Sequence, residues 1–118
     1  MDSITLLVTE VKQINDWRNS RGQRYALHNI LSIVILAIIA GADDYVAFSA
    51  YCKGKKDFLI KHGLLDGVHY PSHDLFRQIL QALDKTSFAK LLSVWLERAI
   101  ESKELSEQEV TAISAKST

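Results

Sequence analysis

Residues 27–42 read LHNILSIVILAIIAGA, and from Ile30 to Ala42 only Ser32 is neither apolar nor glycine. A surface helix keeps one polar side, whereas a helix that is apolar all round is buried. Ile33, Val34, Ile35, Ile38 and Ile39 favour strand locally, yet the run is longer than the usual strand of about five or six residues. It is also too short for a membrane. Thirteen residues at ~1.5 Å each reach ~20 Å, against a hydrocarbon core of ~30 Å. The run predicts a buried central helix over about 27–41 with the other segments wrapped around it. The expected fold class is all-α, a compact bundle of five or six helices.

On the N-terminal side, the stretch from Asp16 to Tyr25 loses any helical period and gathers Arg18, Arg21 and Arg24 around Gly22, so it reads as a basic loop. Before it, Ile4, Leu7, Val8, Val11 and Ile14 recur at steps of three and four. That is the stripe of an amphipathic helix over 3–16, with Asp2 or Ser3 as cap. On the C-terminal side, Gly41 falls where a left-handed helix end belongs, and Asp43 or Asp44 caps a helix carrying Tyr45, Phe48, Ser49 and Cys52 on one face. Gly54, flanked by Lys53, Lys55 and Lys56, marks a break before a short helix that closes at Gly63. Residues 64–71 form a loop, because Asp66-Gly67 is a turn pair and Pro71 biases Tyr70 away from helix. Ser72 then caps a helix with Phe76, Ile79, Leu80 and Leu83 as its buried stripe. Asp84 or Thr86 caps the last long helix, whose Phe88, Leu91, Leu92, Trp95, Ala99 and Ile100 keep the same spacing. The organisation expected is a helical domain over 1–103. An acidic linker with a strand-like run, Val110 to Ile113, follows over 104–118.

With 118 residues and 14 basic against 14 acidic side chains, the chain suits one domain with no overall field to steer it toward nucleic acid. A single cysteine, Cys52, forbids an internal disulfide, and the acidic start MDSITLLVTE lacks a secretory n-region. Both features point to the cytoplasm and away from membranes. No cofactor is implied. His69 and His73 stand four apart, but Pro71 and Ser72 break the helix between them, and a zinc site needs three or four ligands. Cys52 shares a face with Phe48, as a core thiol does. No G-x-S-x-G and no phosphate-cradling glycine loop is present. The basic clusters remain: Arg18, Arg21 and Arg24 with Trp17 and Tyr25 interleaved, and Lys53, Lys55, Lys56 and Lys61. Guanidinium forks suit phosphate oxygens, so both clusters on one face would make a DNA-backbone footprint, with a solvated surface as the plainer reading.

Several segments, taken together and in order, resemble a known family. Asp16-x-Arg18, Arg21-Gly22-x-Arg24-Tyr25-x-Leu27, an apolar helix ending Ala40-Gly41-Ala42, Pro71-Ser72-His73-Asp74-x-Phe76, Leu83-Asp84, Phe88 and Trp95 are similar to the N-terminal region of H-repeat-associated insertion-sequence transposases of the DDE type. Leu75 and Gln78 depart from the family's usual Thr and Arg. In that family the helical region precedes an RNase-H-like catalytic domain, whose first carboxylate lies in a strand of the type V-I-A-I-D-G-K-T. Here the corresponding residues run from Val110 to Ser117, with Ser114 in place of the metal-binding Asp. A neutral hydroxyl cannot supply the anionic oxygen a Mg²⁺ site needs.

The resemblance therefore implies a truncated, catalytically inactive front domain of a transposase, with no catalytic or metal-binding residues of its own. Residues 104–118 would be linker and remnant of the first strand of a lost nuclease domain. DNA binding would be weak, backbone-directed and salt-sensitive, through Arg18, Arg21, Arg24, Lys53, Lys55 and Lys56. Pro71, Ser72, His73 and Asp74 would be a structural motif. The alternative implied is a protein–protein module that dimerises or joins an intact transposase.

Overall fold

In the computed structural model, which describes residues 3–18 and 24–101, α2 (Leu27–Ile39) is the element on which the others are laid. It packs between α1 (Ser3–Val11) and α3 (Tyr45–Gly54). Ile30, Leu31, Ile33 and Ala37 are wholly buried. Ser32, also wholly buried, donates its hydroxyl hydrogen to the His28 carbonyl at 2.7 Å, so the one polar side chain in the apolar run is satisfied inside its own helix. No described helix is long and apolar enough to cross a membrane.

Helix ends follow local chemistry closely. After Ala40 the chain closes on α2 with Gly41 N–H to Ile38 O at 3.0 Å and Ala42 N–H to Ala37 O at 2.9 Å. This double closure is a Schellman motif, and it needs the left-handed φ of 103° that Gly41 adopts. The same pair of bonds closes α4 (Lys56–Lys61). There Gly63 N–H reaches Ile60 O and Leu64 N–H reaches Leu59 O, with Gly63 at φ 75°. Asp44 caps α3 through Ala47 N–H at 2.7 Å. Ser72 caps α5 (His73–Ala82) through Leu75 N–H at 3.2 Å. Of the two caps open for α6 (Lys85–Glu101), Asp84 takes the role, accepting from Thr86 N–H, Ser87 N–H and the Ser87 hydroxyl.

The helix expected over 3–16 is shorter. α1 ends at Val11, and the chain tightens through Gln13 N–H to Glu10 O and Ile14 N–H to Val11 O. Such three-residue bonds are how a helix end uses its orphan carbonyls before the chain turns away.

Six helices are present and no strand occurs among the described residues. The strand-like run at 110–113 lies outside them. α3 carries α2, α4 and α5, while α1 carries α6. Phe48 of α3 meets Phe76 of α5 edge-on, ring centres 5.7 Å apart, and Ser49 donates to the Pro71 carbonyl at 3.0 Å. The five residues between α2 and α3 fold the two helices back on each other as an antiparallel hairpin. That reversal decides which side chains share an end of the molecule.

Candidate nucleic-acid interface

Arg18 is held, not offered. Its Nε donates to Asp16 Oδ1 at 2.9 Å and one terminal nitrogen to Oδ2 at 2.8 Å, the two-pronged fit of a guanidinium to a carboxylate. The Arg18 backbone N–H adds a bond to Asp16 Oδ1 at 3.0 Å, and its terminal nitrogen also reaches the Tyr25 carbonyl at 2.7 Å. Only 16% of the Arg18 side chain is exposed. The Arg18 hydrogen bonds hold the Asp16 carboxyl below its ordinary range, against a smaller opposing push from burial. A carboxyl with a folded value below its unfolded one stabilises the fold above about pH 4 and loses that contribution as pH falls through the folded value. Arg18 thus ties both stems of the basic loop together and turns its fork inward, away from any phosphate. Arg21 lies outside the described residues.

The antiparallel hairpin puts the start of α2 beside the end of α3. Tyr25, just before α2, lies within electrostatic reach of Cys52, in the last turns of α3, and of Asp66. Arg24 precedes it and is exposed, as are Lys53, Lys55, Lys56 and Lys61. Lys55 is the hinge residue between α3 and α4, serving as C-cap of one and N-cap of the other. The reach from Tyr25 to Cys52 brings the returning stem of the loop toward the end of α3, the part of the chain that also carries the exposed Lys53, Lys55 and Lys56. Asp57 in the first turn of α4 complements that helix's N-terminus. Tyr25 is half-buried and packs against the core, whereas Trp17 stays 41% exposed. Trp17 lines a groove of about 520 Å³ with Ile14, Leu91 and Val94, between the end of α1 and α6.

The remaining reactive side chains have structural partners. His69 Nδ1 lies 2.8 Å from Asp66 Oδ2, and Asp66 also accepts the backbone N–H of Val68 and His69. These bonds, the His69 side chain foremost, hold the Asp66 carboxyl far below its ordinary range. His62 stacks edge-on against Phe58 at 4.7 Å. No group of three or more His, Cys, Asp or Glu side chains converges as metal ligands among the described residues. Cys52 is wholly buried, and burial pushes its thiol up to about 12. A thiolate is the reactive form, so in native buffer at pH 8 Cys52 is expected to resist a thiol reagent that labels the urea-unfolded chain completely. Rapid native labelling, followed by mass spectrometry, would place Cys52 at an accessible surface instead.

Comparison with known proteins adds the decisive observation. The family described as DDE_Tnp_1-associated matches residues 8–96, well over half of the chain. The chain belongs to this family. Relatives of the domain include two Escherichia coli proteins named "Putative transposase YncI". The one from O157:H7 is 27% identical and the one from strain K12 is 26% identical, each over 97% of this chain. A Xanthobacter autotrophicus protein, "Uncharacterized protein in dhlA 3'region", is 29% identical over 70% of the chain. This chain spans 28%, 44% and 28% of the lengths of those three relatives. No solved structure gives a significant match.

The match is to the associated domain and not to a catalytic one. Within this DDE_Tnp_1-associated domain, Pro71 is buried, Ser72 caps α5, and His73 and Asp74 are exposed in its first turn. Asp74 pairs with Arg77 at 3.1 Å. Ser114 lies outside the described residues. Two features of the domain escaped the sequence reading: the Arg18 brace and the groove under Trp17. The brace had a signal, an Asp and an Arg two residues apart at a loop entrance. The groove had none, because it is made by residues far apart in the chain.

Proposed function

We propose that this chain is a non-catalytic DNA-contacting domain of transposition machinery. In this reading it acts in the cytoplasm and grips the duplex backbone with Arg24, Lys53, Lys55 and Lys56, joined by Arg21 of the loop. The working unit is residues 1–103, and 104–118 is a linker. The absence of strand-cleaving chemistry in this proposal rests on Ser114 standing where the resembling transposases carry an acid. What supports the DNA reading is membership of a transposase-associated family together with the exposure of Arg24, Lys53, Lys55 and Lys56. Arg24 stands next to Tyr25, which lies within electrostatic reach of the end of α3. Such contacts read charge, not base edges, so binding is weak and shows little sequence preference.

A gel shift with a short labelled duplex at low salt tests the proposal. The native chain is expected to bind. A variant with Arg24, Lys53, Lys55 and Lys56 all changed to alanine is expected to lose most of that affinity. Its log–log salt slope should fall by roughly 0.9 for each phosphate contact removed. A native chain that ignores duplex DNA, or a variant that binds equally well, overturns the reading.

The groove between α1 and α6, with Trp17 and Val94 exposed on it, favours a second role as a protein–protein module that pairs with a second copy or an intact transposase. Light scattering after size exclusion, alone and mixed with a longer relative, tests this. A strict monomer that leaves the relative's mass unchanged excludes it.

A further inference from the structure

We propose that Asp16 and Arg18 form a loop-closing brace that positions Arg24 at the basic end of the hairpin, so that DNA affinity depends on an aspartate. The inference rests on the DNA reading above. It makes Arg18 a positioning residue and not a phosphate ligand.

The geometry supports this in three ways. First, the Arg18 fork is occupied on Asp16 at 2.9 and 2.8 Å. A guanidinium held in that way is oriented as well as neutralised. Second, the same guanidinium reaches across seven residues of chain to the Tyr25 carbonyl at 2.7 Å, so one side chain fixes both the outgoing and the returning stem. Third, Tyr25 packs against the core, which ties the returning stem to the body of the domain. Arg24 is the next residue back and is exposed. Its backbone position is therefore set by the bond Arg18 makes to its neighbour. The brace holds through neutral pH because Arg18 stabilises the ionised Asp16 carboxylate.

Simple electrostatics and the brace make opposite forecasts. Removing a negative charge beside a phosphate-binding surface should tighten DNA binding. If Arg18 were merely masked by Asp16, the Asp16→Asn variant would free its guanidinium for a phosphate, binding more tightly with a salt slope steeper by about 0.9. If the brace is what matters, Asp16→Asn loosens the loop and weakens binding despite the favourable change of charge.

The experiment is a duplex titration of the native chain, Asp16→Asn, Arg18→Lys and the double variant at several salt concentrations. The expected result is a loss of roughly three- to tenfold for Asp16→Asn. Arg18→Lys should lose a similar amount, since lysine keeps the charge but not the fork. The double variant should be no worse than either single one, the non-additivity of residues acting as one unit. Acrylamide quenching of tryptophan is read on the same samples. Trp95 is buried and Trp17 is 41% exposed, so quenching reports mainly the residue between the two brace partners, and it should rise when the brace is broken. Circular dichroism identifies any variant that has lost the helices, and Arg18→Lys then carries the test alone. Binding by Asp16→Asn that is equal to or tighter than native overturns the brace and leaves the DNA reading intact. Near-native binding by Arg18→Lys does the same. A native chain that does not bind duplex overturns both.

Discussion

Replacing Phe76 by alanine is expected to cost the domain about 3–5 kcal/mol, the range for deleting a large aromatic side chain from a packed core. Phe76 is wholly buried on α5 and meets Phe48 of α3 edge-on. The cost has two parts, the lost transfer of the ring from water and the cavity left behind, and the packing of α3 on α5 limits how far that cavity can collapse. A domain of this size has only ~5–15 kcal/mol in hand. The urea midpoint of Phe76→Ala should drop by about a fifth or more, with the slope of the transition unchanged. The neighbouring Gln78→Ala, an exposed position on the same helix, should stay within about 0.5 kcal/mol of native. Equal effects at the two positions would refute the packing of α5 on α3.

The Ile33→Asp variant is expected to fare worse and to lose its cooperative unfolding transition at neutral pH. Ile33 is wholly buried in the middle of α2. Its neighbour Ser32 is tolerated because a hydroxyl can donate to the His28 carbonyl. An ionised carboxylate can only accept, and the backbone N–H groups around it are already spent inside the helix. Stranding such a charge in the core exceeds the ~4–5 kcal/mol that marks the most severe single changes. The pH dependence has a definite sign. Burial raises the folded pKa of the new carboxylate above its unfolded value of about 4. The penalty is therefore full at neutral pH and shrinks as acid protonates the group. The helical circular dichroism signal, lost at pH 7, should recover in part at pH 4, and no recovery in acid would argue against a carboxylate buried in α2.

Most of the fold was legible because its signals are short-range. An apolar run with no polar face identifies α2 as buried, and Gly41, Gly63, Asp44 and Ser72 end or begin helices for reasons contained in a few neighbouring residues. The choice between Asp84 and Thr86 could not be made from residue type, since both are good caps; it depends on the geometry of one turn. The site was less legible. Arg18 and Arg24 look alike in sequence, yet one is locked on Asp16 and the other is exposed. The difference arises from where the loop's returning stem lies, and that is fixed by Tyr25 packing against a core assembled from the rest of the chain. The approach of Tyr25 to the end of α3 likewise depends on the hairpin reversal, which joins residues far apart in the chain.

The packing of α6 on α1 has a consequence for how the protein is made. Synthesis proceeds from the N-terminus at ~5–20 residues per second, and α6 leaves the ribosome last of the six helices. From the end of α2 at Ile39 to the end of α6 at Glu101, that amounts to a wait of roughly 3–12 s. During that interval α1 has no α6 to cover it, and the apolar α2 relies on α1 and α3 for cover. The nascent bundle is then most exposed to misassociation, so a chaperone that shields apolar segments would act before α6 emerges and have little to hold afterwards.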